Sequence, residues 1–169
     1  MGLRLGIVAA VAAALAACFA MPAGAATINA QAKVKVVKPL AIESRQNLDL
    51  GTILLGTGTW SGATVRLSRT GALTCPAPLT CSGATQVAMY NVTGSQGQTV
   101  VMSVPNVTLT NQANPARTLT LVPDAQATVT LTNSGNPGTS IPIGGAIALD
   151  STTADGVYVG TFNVTADYQ

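Results

Sequence analysis

The stretch from Thr27 to Val37 constrains this chain more than any other. Ile28, Ala30, Ala32, Val34 and Val36 alternate there with Asn29, Gln31, Lys33 and Lys35. Strict period-two alternation is the pattern of a β-strand with one apolar face. Such a strand at the start of an exported protein has two outlets for that face. It completes its own sheet, or it completes a neighbour's.

The residues ahead of it read as a removable leader. Arg4 supplies the positive start, Leu5 to Ala20 is apolar, and Ala23-Gly24-Ala25 offers a small-residue cleavage site. The apolar run is short and broken by Met21-Pro22, which argues against a membrane span. The expected organisation is therefore a signal peptide over 1–25, an N-terminal strand over 26–38 and a β-sandwich domain over 39–169. Leu15-Ala16-Ala17-Cys18 also matches the pattern at which bacterial lipoproteins are acylated, so membrane attachment is expected only if Cys18 is lipidated. Either route predicts an exported chain, at the cell surface or in an extracellular fibre reached through the periplasm.

Charge excludes several partners. Only 8% of residues are charged, and removing Arg4 from the 8 basic side chains leaves 7 against 6 acidic ones. A net charge that small gives no electrostatic footprint for nucleic acid. Cleavage leaves two of the three cysteines, Cys75 and Cys81. In an oxidising compartment a small disulfide-closed loop is the expected pairing. There is no histidine to complete a metal site, so neither metal nor cofactor is expected.

Strand signals recur along the rest. Leu48 to Leu54, Ala63 to Ser68, Thr85 to Val92, Thr99 to Val104, Val107 to Thr110, Thr118 to Val122, Ala127 to Leu131 and Ile141 to Leu149 read as strands between Gly, Pro and Asn turns. Glu43 to Asn47 reads as a polar turn, and Gly144-Gly145 suggests a bulge. The last strand is expected from Val157 to Tyr168, with Tyr158, Phe162, Val164, Ala166 and Tyr168 on one face. No helical periodicity follows the leader. The fold class is all-β, an immunoglobulin-like antiparallel sandwich.

Enzyme chemistry has little to stand on. Without histidine there is no Ser-His or Cys-His nucleophile pair, and Glu43, Asp49, Asp124, Asp150, Asp155 and Asp167 are scattered along the chain. A carboxylate pair such as Asp49 with Asp124 would have to be assembled by the fold. Trp60 and Tyr90 suit either a sugar-stacking platform or the core. The three Asn-x-Thr triplets at Asn91, Asn106 and Asn163 match a glycosylation signal but also the ordinary composition of strands and turns.

The two ends carry a resemblance. Thr27 to Ile42 followed by Leu48-Asp49-Leu50-Gly51-Thr52-Ile53, and the closing Gly156-Val157-Tyr158-Val159-Gly160-Thr161-Phe162-Asn163-Val164-Thr165-Ala166-Asp167-Tyr168, resemble the bacterial domain-of-unknown-function-4402 family. Both ends are also similar to spore-coat-protein-U-type pilins of the archaic chaperone–usher pathway. The chain differs from those pilins in carrying its cysteine pair mid-chain and none soon after the first strand. The resemblance implies donor-strand complementation in a sandwich that lacks one strand. A chaperone and then the next subunit would fill the groove, with Ile28, Ala30, Ala32, Val34 and Val36 as the donated face. The last-strand face of Tyr158, Phe162, Val164, Ala166 and Tyr168 would be the acceptor. The partners implied are further copies of the chain and a periplasmic chaperone and usher, for a fibre with an adhesion or biofilm role. The alternative from the same residues is a self-complete secreted or lipid-anchored β-sandwich that binds some ligand at the surface.

Overall fold

The computed structural model describes residues 26–169; the expected leader and its Cys18 lie outside the described residues. The chain divides into two units, one ending at Lys35 and one running from Val36 to Gln169. Residues 26–35 of the first unit form no strand, and their side chains are exposed.

The second unit is built of antiparallel strands, with no helix among the described residues. The largest sheet runs in the order β1 (Ala41–Gln46), β6 (Ala88–Thr93), β11 (Thr139–Leu149), β9 (Thr118–Asp124), β8 (Val107–Asn111), β12 (Tyr158–Val159). Beside β11 lies β3 (Ala63–Leu67), which in turn pairs with β4 (Leu73–Thr74). A three-stranded sheet has the order β10 (Thr128–Thr130), β7 (Thr99–Ser103), β13 (Thr165–Tyr168), and β2 (Thr52–Leu54) pairs with β5 (Thr80–Ser82). The expected all-β antiparallel sandwich is what forms.

β11 is the hub. Its first half, Thr139 to Ile143, pairs with β6, and its second half lies between β9 and β3. The change of partners falls at Gly144-Gly145, and no register shift occurs there. A Cβ on Gly144 would strike the Leu67 carbonyl oxygen, and one on Gly145 would sit 2.8 Å from Leu121 Cδ1. The pair is thus required by close backbone approach, where a bulge was expected. The irregularity lies elsewhere, in β1 between Ser44 and Gln46. That strand also takes in Glu43 to Gln46, which had read as a turn. Cross-strand bonds to β6 override the local polarity of those residues.

Two apolar clusters fill the interior. Val65, Leu109, Leu121 and Ile147 centre the first, with Trp60, Tyr158 and Phe162 packed against it. Val92, Val100, Met102, Leu131 and Ile141 form the second. The expected disulfide between Cys75 and Cys81 is formed, with the Cα atoms 6.1 Å apart, and it returns Leu79 into the first cluster.

Gly144→Ala should lower unfolding stability by about 1–3 kcal/mol in urea titrations, through overpacking. Gly135→Ala, whose new Cβ meets nothing nearer than 3.7 Å, should stay within about 0.5 kcal/mol of the parent. Replacing both cysteines by serine should cost about 2 kcal/mol, the scale of a short closed loop, in the same titration.

Candidate functional site

The final strand is where the alternation of the sequence becomes an incomplete burial. Phe162, Val164, Ala166 and Tyr168 turn inward and stay half-buried, while Thr161, Asn163, Thr165 and Asp167 are exposed. The strand pairs antiparallel with β8 through Tyr158 and Val159, and with β7 through Thr165 to Tyr168. Between these ladders Gly160 to Val164 carries no strand assignment. The segment joining β7 to β8 contains Pro105, which has no N–H to donate. Gly160 still packs tightly, since a Cβ there would lie 2.6 Å from the Thr108 carbonyl oxygen. Both β12 and β13 terminate their sheets. The outer edge of the last strand therefore has no strand partner among the described residues.

A second edge sits over the same core. β1 pairs with β6 on one side only; Leu40, just ahead of it, and its own Ile42 pack on the second cluster together with Val164, Ala166 and Tyr168. β1 and β13 belong to different sheets and share no ladder. Ala41 lies opposite Thr93 and Tyr168 opposite Val100, so both edges meet the turn that joins β6 to β7. β1 starts at that end and β13 finishes there.

The junction is tied by a closed ring of hydrogen bonds. Tyr168 Oη donates to the Lys38 carbonyl at 2.6 Å and accepts from the Ser95 amide at 2.7 Å. The Lys38 amide donates to Ser95 Oγ at 2.7 Å. Gly94 makes room for it: a Cβ at that position would lie 2.5 Å from Tyr168 Oη and 2.8 Å from Leu40 Cδ2. The near-terminal tyrosine is visible in the sequence, but Lys38, Gly94 and Ser95 are not. Their only local signal is a Gly-Ser turn between two strands.

The residues expected to be donated are all outward. Ile28 is 91% exposed and Val34 84%, and Ala30 and Ala32 are exposed as well. Val36, which opens the second unit, is 85% exposed. The five residues expected as acceptor divide between the clusters, with Tyr158 and Phe162 on the first and Val164, Ala166 and Tyr168 on the second.

The profile of a family described as a domain of unknown function, DUF4402, matches residues 40–168. The chain belongs to the DUF4402 family. No curated protein and no solved structure matches it. The DUF4402 match opens at Leu40, the first inward residue of the β1 edge, and closes at Tyr168, so Thr27 to Val37 lies ahead of it.

Other candidates in this DUF4402 chain have local roles. Trp60 is half-buried on the first cluster and its indole N–H donates to the Gly56 carbonyl at 3.1 Å. Tyr90 leans on Phe162 with ring centroids 6.2 Å apart. Both rings are half-buried. Asp49 Oδ1 accepts from the Gly51 amide at 2.8 Å, whereas Asp124 accepts from the Arg69 amide and pairs with Arg66 at 3.3 Å. Each carboxylate thus has its own partners. Among the described residues no three His, Cys, Asp or Glu side chains gather as metal ligands.

Burial alone would push the Asp124 carboxyl up, but the hydrogen bonds from Arg69 and Arg66 and their charges outweigh it, and the net direction is down. A carboxylate held below its unfolded value adds stability above that value and loses it as pH falls through the folded one. Asp124→Asn should therefore be less stable than the parent at pH 7. The difference should close as urea titrations are taken below pH 3.8, the ordinary value for the group.

Proposed function

We propose that this protein is a structural subunit of a bacterial surface fibre, assembled when the N-terminal segment of one copy completes the sandwich of the next. One observation carries the reading. The β1 and β13 edges flank one apolar cluster, share no main-chain ladder and leave their inward side chains half-buried. A strand laid between them would find main-chain partners on both sides and apolar contacts beneath.

The segment 26–38 suits that place. Its five alternating apolar residues span about 27–30 Å, and burying Ile28, Val34 and Val36 would each supply roughly 1.5–3 kcal/mol. Ala30 and Ala32 permit close approach in the middle. Lys33 and Lys35 lie on the opposite face, where they keep an unpaired strand soluble. Contacts of this head-to-tail kind do not close on themselves and so generate filaments. Export and a chaperone that covers the edges before assembly belong to the same proposal, because a bare edge over an apolar cluster invites unspecific pairing.

The test is a subunit lacking residues 26–38, offered a synthetic peptide of that sequence. The truncated subunit should fail to form multimers on its own and should capture the peptide. A Val34→Asp peptide should bind at least 100-fold more weakly, because it loses apolar burial and desolvates a charge. Failure to bind the parent peptide by calorimetry would contradict the proposal.

A further inference from the structure

The ring at the junction bears on whose edge a given tail fills. For a chain to fill its own gap, residues 27–37 would have to reverse at Lys38-Pro39-Leu40 and return alongside β1. That reversal is already occupied. Both backbone groups of Lys38 are engaged, its amide by Ser95 Oγ and its carbonyl by Tyr168 Oη. Pro39 has no amide to offer a hairpin, and Leu40 is seated on the second cluster beside Gly94. The tail of another molecule needs no reversal at this point.

We propose that the Tyr168 hydroxyl, with Ser95, is a latch on the root of the tail that blocks self-closure and so reserves the gap for a second copy of the chain. This inference rests on the donated-tail reading and deepens it by naming what selects the partner. The ring of Tyr168 packs on the cluster, whereas its hydroxyl bonds the Lys38 carbonyl and the Ser95 amide, so removing one atom separates the packing from the ring of bonds. Ser95 adds the second bond to the same backbone residue, which fixes the direction in which the chain enters β1. Each bond of this kind is worth on the order of tenfold in an equilibrium between two arrangements.

The test compares the exported chain with its Tyr168→Phe and Ser95→Ala variants, using electrophoresis without heating and brief trypsin treatment of the monomer fraction. The parent should give a ladder of multimers, and its monomers should be cut readily after Lys33 and Lys35. In Tyr168→Phe the monomer-to-multimer ratio should rise at least fivefold, with cleavage after those lysines slowed about tenfold as the tail closes on its own body. Ser95→Ala should move both readouts the same way by a smaller factor, and it decides the matter should Tyr168→Phe not fold. Parent-like ladders and cleavage rates in the variants would overturn the latch alone. Fewer multimers with the lysines still cut rapidly would also overturn it, since the hydroxyl would then act only in the acceptor edge. A parent that yields monomers only, with its tail freely cut, would overturn the donated-tail reading and the latch with it.

Discussion

An edge strand over an apolar cluster is the constraint on which the rest of this structure depends. Along the last strand one row of backbone donors and acceptors is spent on β8 and β7, while the other faces no strand among the described residues. Its inward side chains rest on the core and are themselves only half-buried. Edges of this kind are normally blunted by charge, proline or a bulge, because they recruit other chains. Here β1 carries the register irregularity and an exposed Glu43–Arg45 pair, whereas the outer face of β13 offers one charge, Asp167, beside Thr165. The less protected of the two edges is the closing one.

The interior explains why such an edge is tolerated. Gly144 and Gly145 let β11 pass between neighbours too close for any Cβ, so β6, β9 and β3 are locked to one strand. The first cluster, stapled by the Cys75–Cys81 bond and the buried Leu79, holds together without help from the closing strand's far end. The second cluster has fully buried Val92, Val100 and Leu131 at its centre. It is incomplete only at its margin, where Leu40, Ile42, Val164, Ala166 and Tyr168 lie.

Much of this was legible in the residues, for definable reasons. Alternation located β3, β6 to β11 and the inward face of the last strand, because period-two burial is a local property. The two-residue β4 and three-residue β5 were missed, since strands so short carry no period. β1 was misread at Glu43 to Gln46, where pairing with β6 outweighs a polar composition. Gly144-Gly145 looked like a bulge because sequence reveals the missing side chain and not the neighbour that demands its absence. Lys38, Gly94 and Ser95 meet Tyr168 across more than 70 positions in each case, and no local pattern reports such a meeting. The apolar face of the tail was plain in the sequence, and in the structure it is exposed.

Native-state hydrogen exchange on the last strand tests the central claim most directly. In a subunit without residues 26–38, the edge amides between Gly160 and Tyr168 that β7 and β8 do not engage should exchange rapidly. Adding the 26–38 peptide should slow them at least tenfold while leaving the centre of β11 unchanged. Edge amides already protected in the truncated subunit, and indifferent to the peptide, would contradict the account.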